Sequence, residues 1–398
     1  MSIELKQRVH ERLLRAPELV ELAQADGQHA VRARLAELLR DEDPLLPVLH
    51  FERLLSELTD EVAGLGPLEP LLAAPDVTEV MVNGPGHAFI ERAGRLERIE
   101  LDLDAAGIVR LVERVVAPLG LRLDRSSPMV DARLPDGSRL HAILPPLAID
   151  GPCVTIRRFG ARAVPLEAFG LDAAAQAFLC WCVEVGWNLV VAGATSAGKT
   201  TLLNALSGAI PRGERVVTIE ETAELRLAQP HVVRLEARPP NAEGAGAVPV
   251  RALVRAALRM RPDRVVVGEV RGGEAFDMLQ ALNTGHDGSL STVHANSAAD
   301  ALTRLETLVL LADTGLPLVA VRSQLAAALD GVVFVARRAG GTRRVEQVAE
   351  LVVTPDGPAV RSLFSWRDGG LAPIATPTRA PRRPDAPSPD IEWFACGQ

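Results

Sequence analysis

Gly193-Ala194-Thr195-Ser196-Ala197-Gly198-Lys199-Thr200 carries the densest chemical signal in the chain. It matches the phosphate-loop pattern G-x-x-x-x-G-K-[ST] at every fixed position. The backbone N–H groups of such a loop, with Thr201 continuing into a helix, converge on phosphate oxygens together with the helix dipole. Lys199 would reach the β- and γ-phosphates of a nucleoside triphosphate, and the Thr200 hydroxyl would ligate Mg²⁺. Lysine usage sharpens this reading. Of 43 basic residues only Lys6 and Lys199 are lysines. Arginine, with its larger forked head, does not replace a compact ammonium at such a position.

Three apolar runs downstream each end in ionisable groups. Arg215-Val216-Val217-Thr218-Ile219 ends in Glu220-Glu221, Arg264-Val265-Val266-Val267-Gly268 in Glu269, and Ser289-Leu290-Ser291-Thr292-Val293 in His294. Carboxyl ends of parallel strands are where open α/β sheets bind ligands. Glu269 stands in a Walker-B-like place, although Gly268 replaces the usual first Asp. Mg²⁺ keeps several waters, so Thr200 plus Glu269 acting through water suffice as its protein partners. Glu220 and Glu221 are candidates to orient or deprotonate the attacking water. His286 and His294 have no third ligand at a metal spacing and are expected near the γ-phosphate or at a subunit boundary.

The elements that must position these groups follow from the pattern. The run Asn188–Ala192 reads as a buried parallel strand feeding the loop, and Thr201–Leu206 opens a helix. Residues 168–355 alternate strand with helix and predict an α/β, RecA-like P-loop core. Ahead of it, residues 61–160 predict a smaller α+β domain. Its signals are short strands at Glu79–Val82 and Ala88–Glu91, a helix over Ala105–Val116, and a hairpin at Pro135-Asp136-Gly137-Ser138. Residues 1–60 predict charged amphipathic helices. Residues 374–398 are Pro-rich and predict a disordered tail, with weak docking of Ile391-Glu392-Trp393-Phe394 as the alternative.

Composition narrows the function. A net charge of −8 and 3% aromatic residues without tyrosine argue against a nucleic-acid partner. No apolar run approaches the ~20 residues of a membrane span, and the charged N-terminus lacks a signal-peptide core. The four cysteines (Cys153, Cys180, Cys182, Cys396) show no C-x-x-C pairing. A soluble cytoplasmic protein is the expectation. A small GTPase would need an N-K-x-D motif, which two lysines at positions 6 and 199 cannot supply.

Four segments in order resemble the secretion and pilus-assembly ATPases of type II and type IV systems, most closely the CpaF branch of the tight-adherence (Tad/Flp) pilus. They are GATSAGKTT at 193–201, VVTIEETAEL at 216–225, LRMRPDRVVVGEVRGGEA at 258–275 and TGHDGSLSTVHAN at 284–296. GLGPLEPLL, VTEVMVNGP and SSPMVDARLPDGSR extend the likeness to about residues 55–350. Glu221 departs from it, since that box usually carries Asp. The resemblance implies ATP and Mg²⁺ as cofactors, a homohexameric ring, and inner-membrane platform proteins as partners. It also implies that Arg139 and Arg157 close over the outer phosphates. Two alternatives are a DNA-translocating RecA-like motor and a slow, nucleotide-gated assembly regulator.

Overall fold

In the computed structural model, which describes residues 8–9, 27–92, 94–158, 164–240, 244–367, 369–383, 386 and 388–394, the chain divides into two units, Met1–Gly160 and Ala161–Gln398. The first begins with α1 (Gly27–Glu42) and α2 (Val48–Ala63). Leu35 and Leu39 of α1 bury against Leu54, Leu55 and Leu58 of α2. Apart from residues 8–9, the helices predicted over 2–26 lie outside the described residues. The short α3 (Glu69–Ala73) then leads to β1 (Val77–Asn83), β2 (Ala88–Arg92), β3 (Arg95–Ile99), α4 (Ala105–Val116), β4 (Met129–Arg133), β5 (Arg139–Ile143) and β6 (Cys153–Arg157).

α4 occupies the predicted residues because Asp104 caps it, accepting from the Gly107 N–H at 2.6 Å. The turn between β4 and β5 needs Gly137, whose φ is 92°, and Asp136, which accepts from the Ser138 N–H at 2.9 Å. The antiparallel sheet runs β3-β2-β1-β6-β5-β4. Every second side chain (Val80, Val82, Leu140, Ala142, Val154, Ile156) packs with Ile108, Leu111 and Val112 of α4. The alternate residues form a charged row on the other face. Arg133 lies opposite Arg139, Arg139 opposite Arg157, and Arg157 opposite Glu79.

The second unit opens with a 3₁₀ turn, Leu166–Phe169, and α5 (Ala173–Glu184). It continues through β7 (Leu189–Gly193), α6 (Lys199–Ser207), β8 (Val216–Glu220), β9 (Val232–Glu236), α7 (Val250–Ala257), β10 (Arg264–Val270), α8 (Glu274–Leu282) and β11 (Leu290–His294). α9 (Ala298–Leu311), α10 (Leu318–Ala328), β12 (Gly331–Arg337), β13 (Arg343–Thr354), β14 (Gly357–Arg367) and β15 (Gly370–Pro373) complete it. The sheet order is β15-β14-β13-β12-β7-β11-β10-β8-β9. Strands β12 to β9 in that order are parallel, and β13–β15 add an antiparallel extension. Leu189 and Val191 of β7 face one apolar layer, and Val190 and Ala192 face the other. Helices therefore cover both faces, as a buried parallel sheet requires.

Two expectations about the C-terminal region need correcting. The core does not stop at 355: Pro355-Asp356-Gly357 turns the chain back, with Gly357 at φ 121°, and β14 and β15 extend the sheet to Pro373. Nor is the described part of the Pro-rich tail free. Arg379 and Arg382 pair with Asp330, and the Phe394 ring lies 5.3 Å from those of Phe178 and Phe364. A few charged and aromatic anchors outweigh the low overall hydrophobicity that signalled disorder.

Candidate nucleotide site

β7, fully buried along its length, delivers the loop 194–198 to the first turn of α6. Gly193 is required by close approach, since a Cβ there would fall 2.4 Å from the Val335 carbonyl oxygen. Ser196 and Gly198 adopt left-handed backbone, with φ of 59° and 97°. Such alternation is how successive N–H groups are turned into one concavity. Ala194, Thr195 and Ser196 are exposed, Ala197 is buried, and Thr200 and Thr201 are half-buried on the first turn of α6.

Lys199 is only 8% exposed. Its Nζ donates to the Ala194 carbonyl at 3.1 Å and lies 3.9 Å from Glu269 Oε1. The sequence-predicted pair from two separate strands is therefore together. β10 is not next to β7 but one strand away, with β11 between them. At the end of β11, His294 Nδ1 sits 3.4 Å from Thr195 Oγ1, so this histidine also lies against the loop. Among the described residues no group of three or more acid, His or Cys side chains forms a metal cluster. One hydroxyl and one carboxylate suit Mg²⁺, which takes few protein ligands.

An ion pair of Glu269 with Arg271 or Arg264 was the structural alternative to a catalytic role, and what sequence reasoning did not foresee is that Arg271 also reaches Glu221. Its guanidinium bridges Glu269 Oε2 at 2.5 Å and Glu221 Oε2 at 2.7 Å. Its own pKa is raised by its bonds to those carboxylates, against the cost of burial. The only available signal was its place two residues after Glu269, which does not say where a long side chain turns. Arg264, the other arginine weighed for Glu269, instead pairs with Glu214 and donates to the Val183 carbonyl at 2.7 Å.

Glu220, a candidate to orient or deprotonate the attacking water, turns into the interior. It is 3% exposed, and its Oε1 accepts from the Glu224 and Leu225 N–H groups at 2.8 and 2.9 Å. Its Oε2 is buried without a hydrogen-bond partner. It anchors the 221–225 loop from inside. Gly268 makes room for it, because a Cβ there would lie 2.7 Å from Glu220 Cγ. The missing first acid of the Walker-B-like segment thus has a steric reason.

Burial pushes the Glu220 carboxyl up to about 7 from an ordinary 4.5. Its folded pKa is above its unfolded one, so stability is full below about pH 4.5 and is lost as pH rises through 7. Glu220→Gln is expected to flatten this slope, worth on the order of 3 kcal/mol across the window. Urea midpoints measured from pH 5 to 8 check it, and equal slopes in both proteins would remove Glu220 as the cause.

For His286, the γ-phosphate half of the expectation must be corrected. β11 runs parallel to β7, with His294 opposite Gly193 and Leu290 opposite Leu189. His286 precedes the start of β11 and sits at the opposite edge of the sheet, its Nδ1 3.0 Å from the Ala281 carbonyl. It does not face the phosphate loop of its own chain. Arg139 and Arg157 belong to the first unit, where they are direct cross-strand neighbours.

A profile for the type II/IV secretion system protein family matches residues 61–358. The chain belongs to that family. A Mycobacterium tuberculosis protein named for conjugal transfer is 44% identical over 305 residues, covering 74% of this chain and 86% of that one. The type IV secretion system protein PtlH of Bordetella pertussis is 40% identical over 316 residues, covering 70% and 91%. The Legionella pneumophila ATPase DotB (20% identity, TM-score 0.52, covering 73% of this chain and 80% of that one) and the pilus retraction motor PilT (20%, 0.53, 72% and 82%) share its fold. The second unit is thus the RecA-like P-loop core of a secretion-ATPase fold. Among the described residues, no helix is long and apolar enough to cross a membrane.

Proposed function

We propose that the protein is a Mg²⁺-dependent ATPase that works as a homohexameric ring on the cytoplasmic side of an inner membrane. There it would drive assembly of a Tad/Flp-type pilus or a related secretion machine through platform proteins. The observation that carries this reading is the approach of Lys199 to Glu269, at 3.9 Å, over a loop shaped for phosphates. In this reading Gly193–Thr201 cradle ATP, and Thr200, with Glu269 through water, would hold Mg²⁺. The ion supplies charge neutralisation at the β- and γ-phosphates. Glu269 takes up the proton of the attacking water, Glu221 and His294 position it from either side, and Glu220 steadies the loop that carries Glu221. The relatives named for conjugal transfer and type IV secretion support an export role. The acidic net charge of −8 disfavours a DNA translocator.

The first unit would respond to the γ-phosphate through its arginine row. Arg133, Arg139 and Arg157 stand in one cross-strand row that ends at Glu79, and such a cluster of guanidinium groups attracts an anion. A guanidinium grips phosphate in a bidentate fork, and losing that grip after hydrolysis would release the unit. Arg139→Ala with Arg157→Ala is expected to lower ATP turnover roughly tenfold or more, about 1–3 kcal/mol for charge-assisted contacts. Discrimination of ATP from ADP should weaken with it. The assay is steady-state hydrolysis alongside the mass of the assembly in solution. Unchanged turnover and preference in a hexamer would return both arginines to a solvated sheet face.

A further inference from the structure

A second dense network lies at the edge of the sheet away from the phosphate loop. Asp330, just ahead of β12, is 2% exposed. Its carboxylate accepts from Arg379 Nε at 2.6 Å, from Arg382 Nε, and from the Asn188 N–H at 2.8 Å. Arg382 also donates to Asp287 Oδ1 at 3.0 Å and to the Ala327 and Ala328 carbonyls at 2.7 and 3.0 Å. Arg383 reaches Glu214 Oε1 at 2.5 Å, and the N–H groups of Arg382 and Arg383 both meet the Val185 carbonyl at 3.2 Å. Thr378 donates its N–H and its hydroxyl to the buried Glu350, each at 2.9 Å. Val185, Glu214, Asp287 and Asp330 stand just before β7, β8, β11 and β12 respectively.

We infer that residues 376–383 form a releasable strap that holds the entry loops of these four strands and thereby restrains β11, whose far end carries His294. The strap is held by ion pairs and hydrogen bonds, and Thr376, Thr378 and Ala380 remain exposed. The two arginines bonded to Asp330 both come from the strap itself. When it lifts, water reaches that carboxylate, so the charge is not stranded in a dry interior. Pro377 and Pro381 fix φ and limit the order lost on seating. Downstream, Phe394 packs on Phe178 and Phe364, so a lifted strap stays tethered and reseats at high effective concentration. Asp287 and His294 bracket a strand of five residues, so what holds one end restrains the other.

The test is amide hydrogen exchange on the full-length chain carrying Arg382→Gln. Exchange at residues 285–294, 327–331 and 377–383 should accelerate about tenfold or more. Unaltered protection at 285–294 and 327–331 would overturn the inference. Should that variant fail to fold, the unmodified chain is compared at about 0.05 M and 1 M salt. Faster exchange of 377–383 at high salt is expected, and salt-independent protection counts against the strap. Neither readout involves nucleotide, so the strap stands or falls separately from the hydrolysis reading.

Discussion

Lys199→Ala is expected to reduce ATP hydrolysis by about 10³-fold or more, some 4 kcal/mol of transition-state stabilisation, while leaving the fold intact. The substitution removes the ammonium that lies 3.9 Å from Glu269 and donates to the Ala194 carbonyl. Neither contact is core packing, so thermal unfolding should shift little. Nucleotide affinity should fall as well, because the charge touches bound phosphates before and during the reaction. A steady-state assay with circular dichroism on the same sample separates the effects. Turnover equal to the unsubstituted chain would remove the phosphate-loop assignment, whatever happened to affinity.

Glu269→Gln should give the opposite division, with ATP still bound and hydrolysis slowed about 10²–10³-fold. The amide keeps the shape and loses the negative charge and basicity that general-base work needs. One complication is built into the geometry. Arg271 holds Glu269 on one side and Glu221 on the other. With the first carboxylate neutralised, its guanidinium is left to Glu221 alone, which is 62% exposed and screened by water. Arg271→Gln is the matching control: if it restores no activity to Glu269→Gln, the defect lies in the carboxylate and not in a displaced arginine. Equal collapse of nucleotide binding in Glu269→Gln would make Glu269 a structural partner of Lys199.

The parts of this site that sequence made legible are those set by backbone pattern. A short apolar run ending in an ionisable residue places that residue at a strand's carboxyl end, as for Glu269, 3.9 Å from Lys199, and His294, against the loop at Thr195. α4 was legible because Asp104 and an apolar stripe mark it. What escaped depended on where long or buried side chains turn. Arg271 spans to Glu221 across 50 residues of sequence. Glu220 and Glu221 are chain neighbours, yet strand alternation sends one inward and one to solvent. His286 was grouped with His294 although the strand read between them, at about 3.3 Å per residue, separates its ends by roughly 15 Å, which rules out the γ-phosphate of its own chain and leaves the subunit boundary. The tail was misread because composition averages over residues, while docking rests on a few arginines and one phenylalanine.

The nine-stranded sheet has one further consequence, at its two margins. On one side it ends in β15, four residues long and closing on Pro373, whose nitrogen has no proton to offer a ladder. On the other it ends in β9, a short strand carrying Arg234 and Glu236. Charges, brevity and proline are the devices by which proteins refuse another chain's backbone. In the proposed ring, neighbouring copies would therefore meet through side chains, not by continuing the sheet. A joint of that kind could part and re-form with each round of the proposed hydrolysis without stripping a row of backbone hydrogen bonds. Reversible contact between subunits would thus be protected by how the sheet stops.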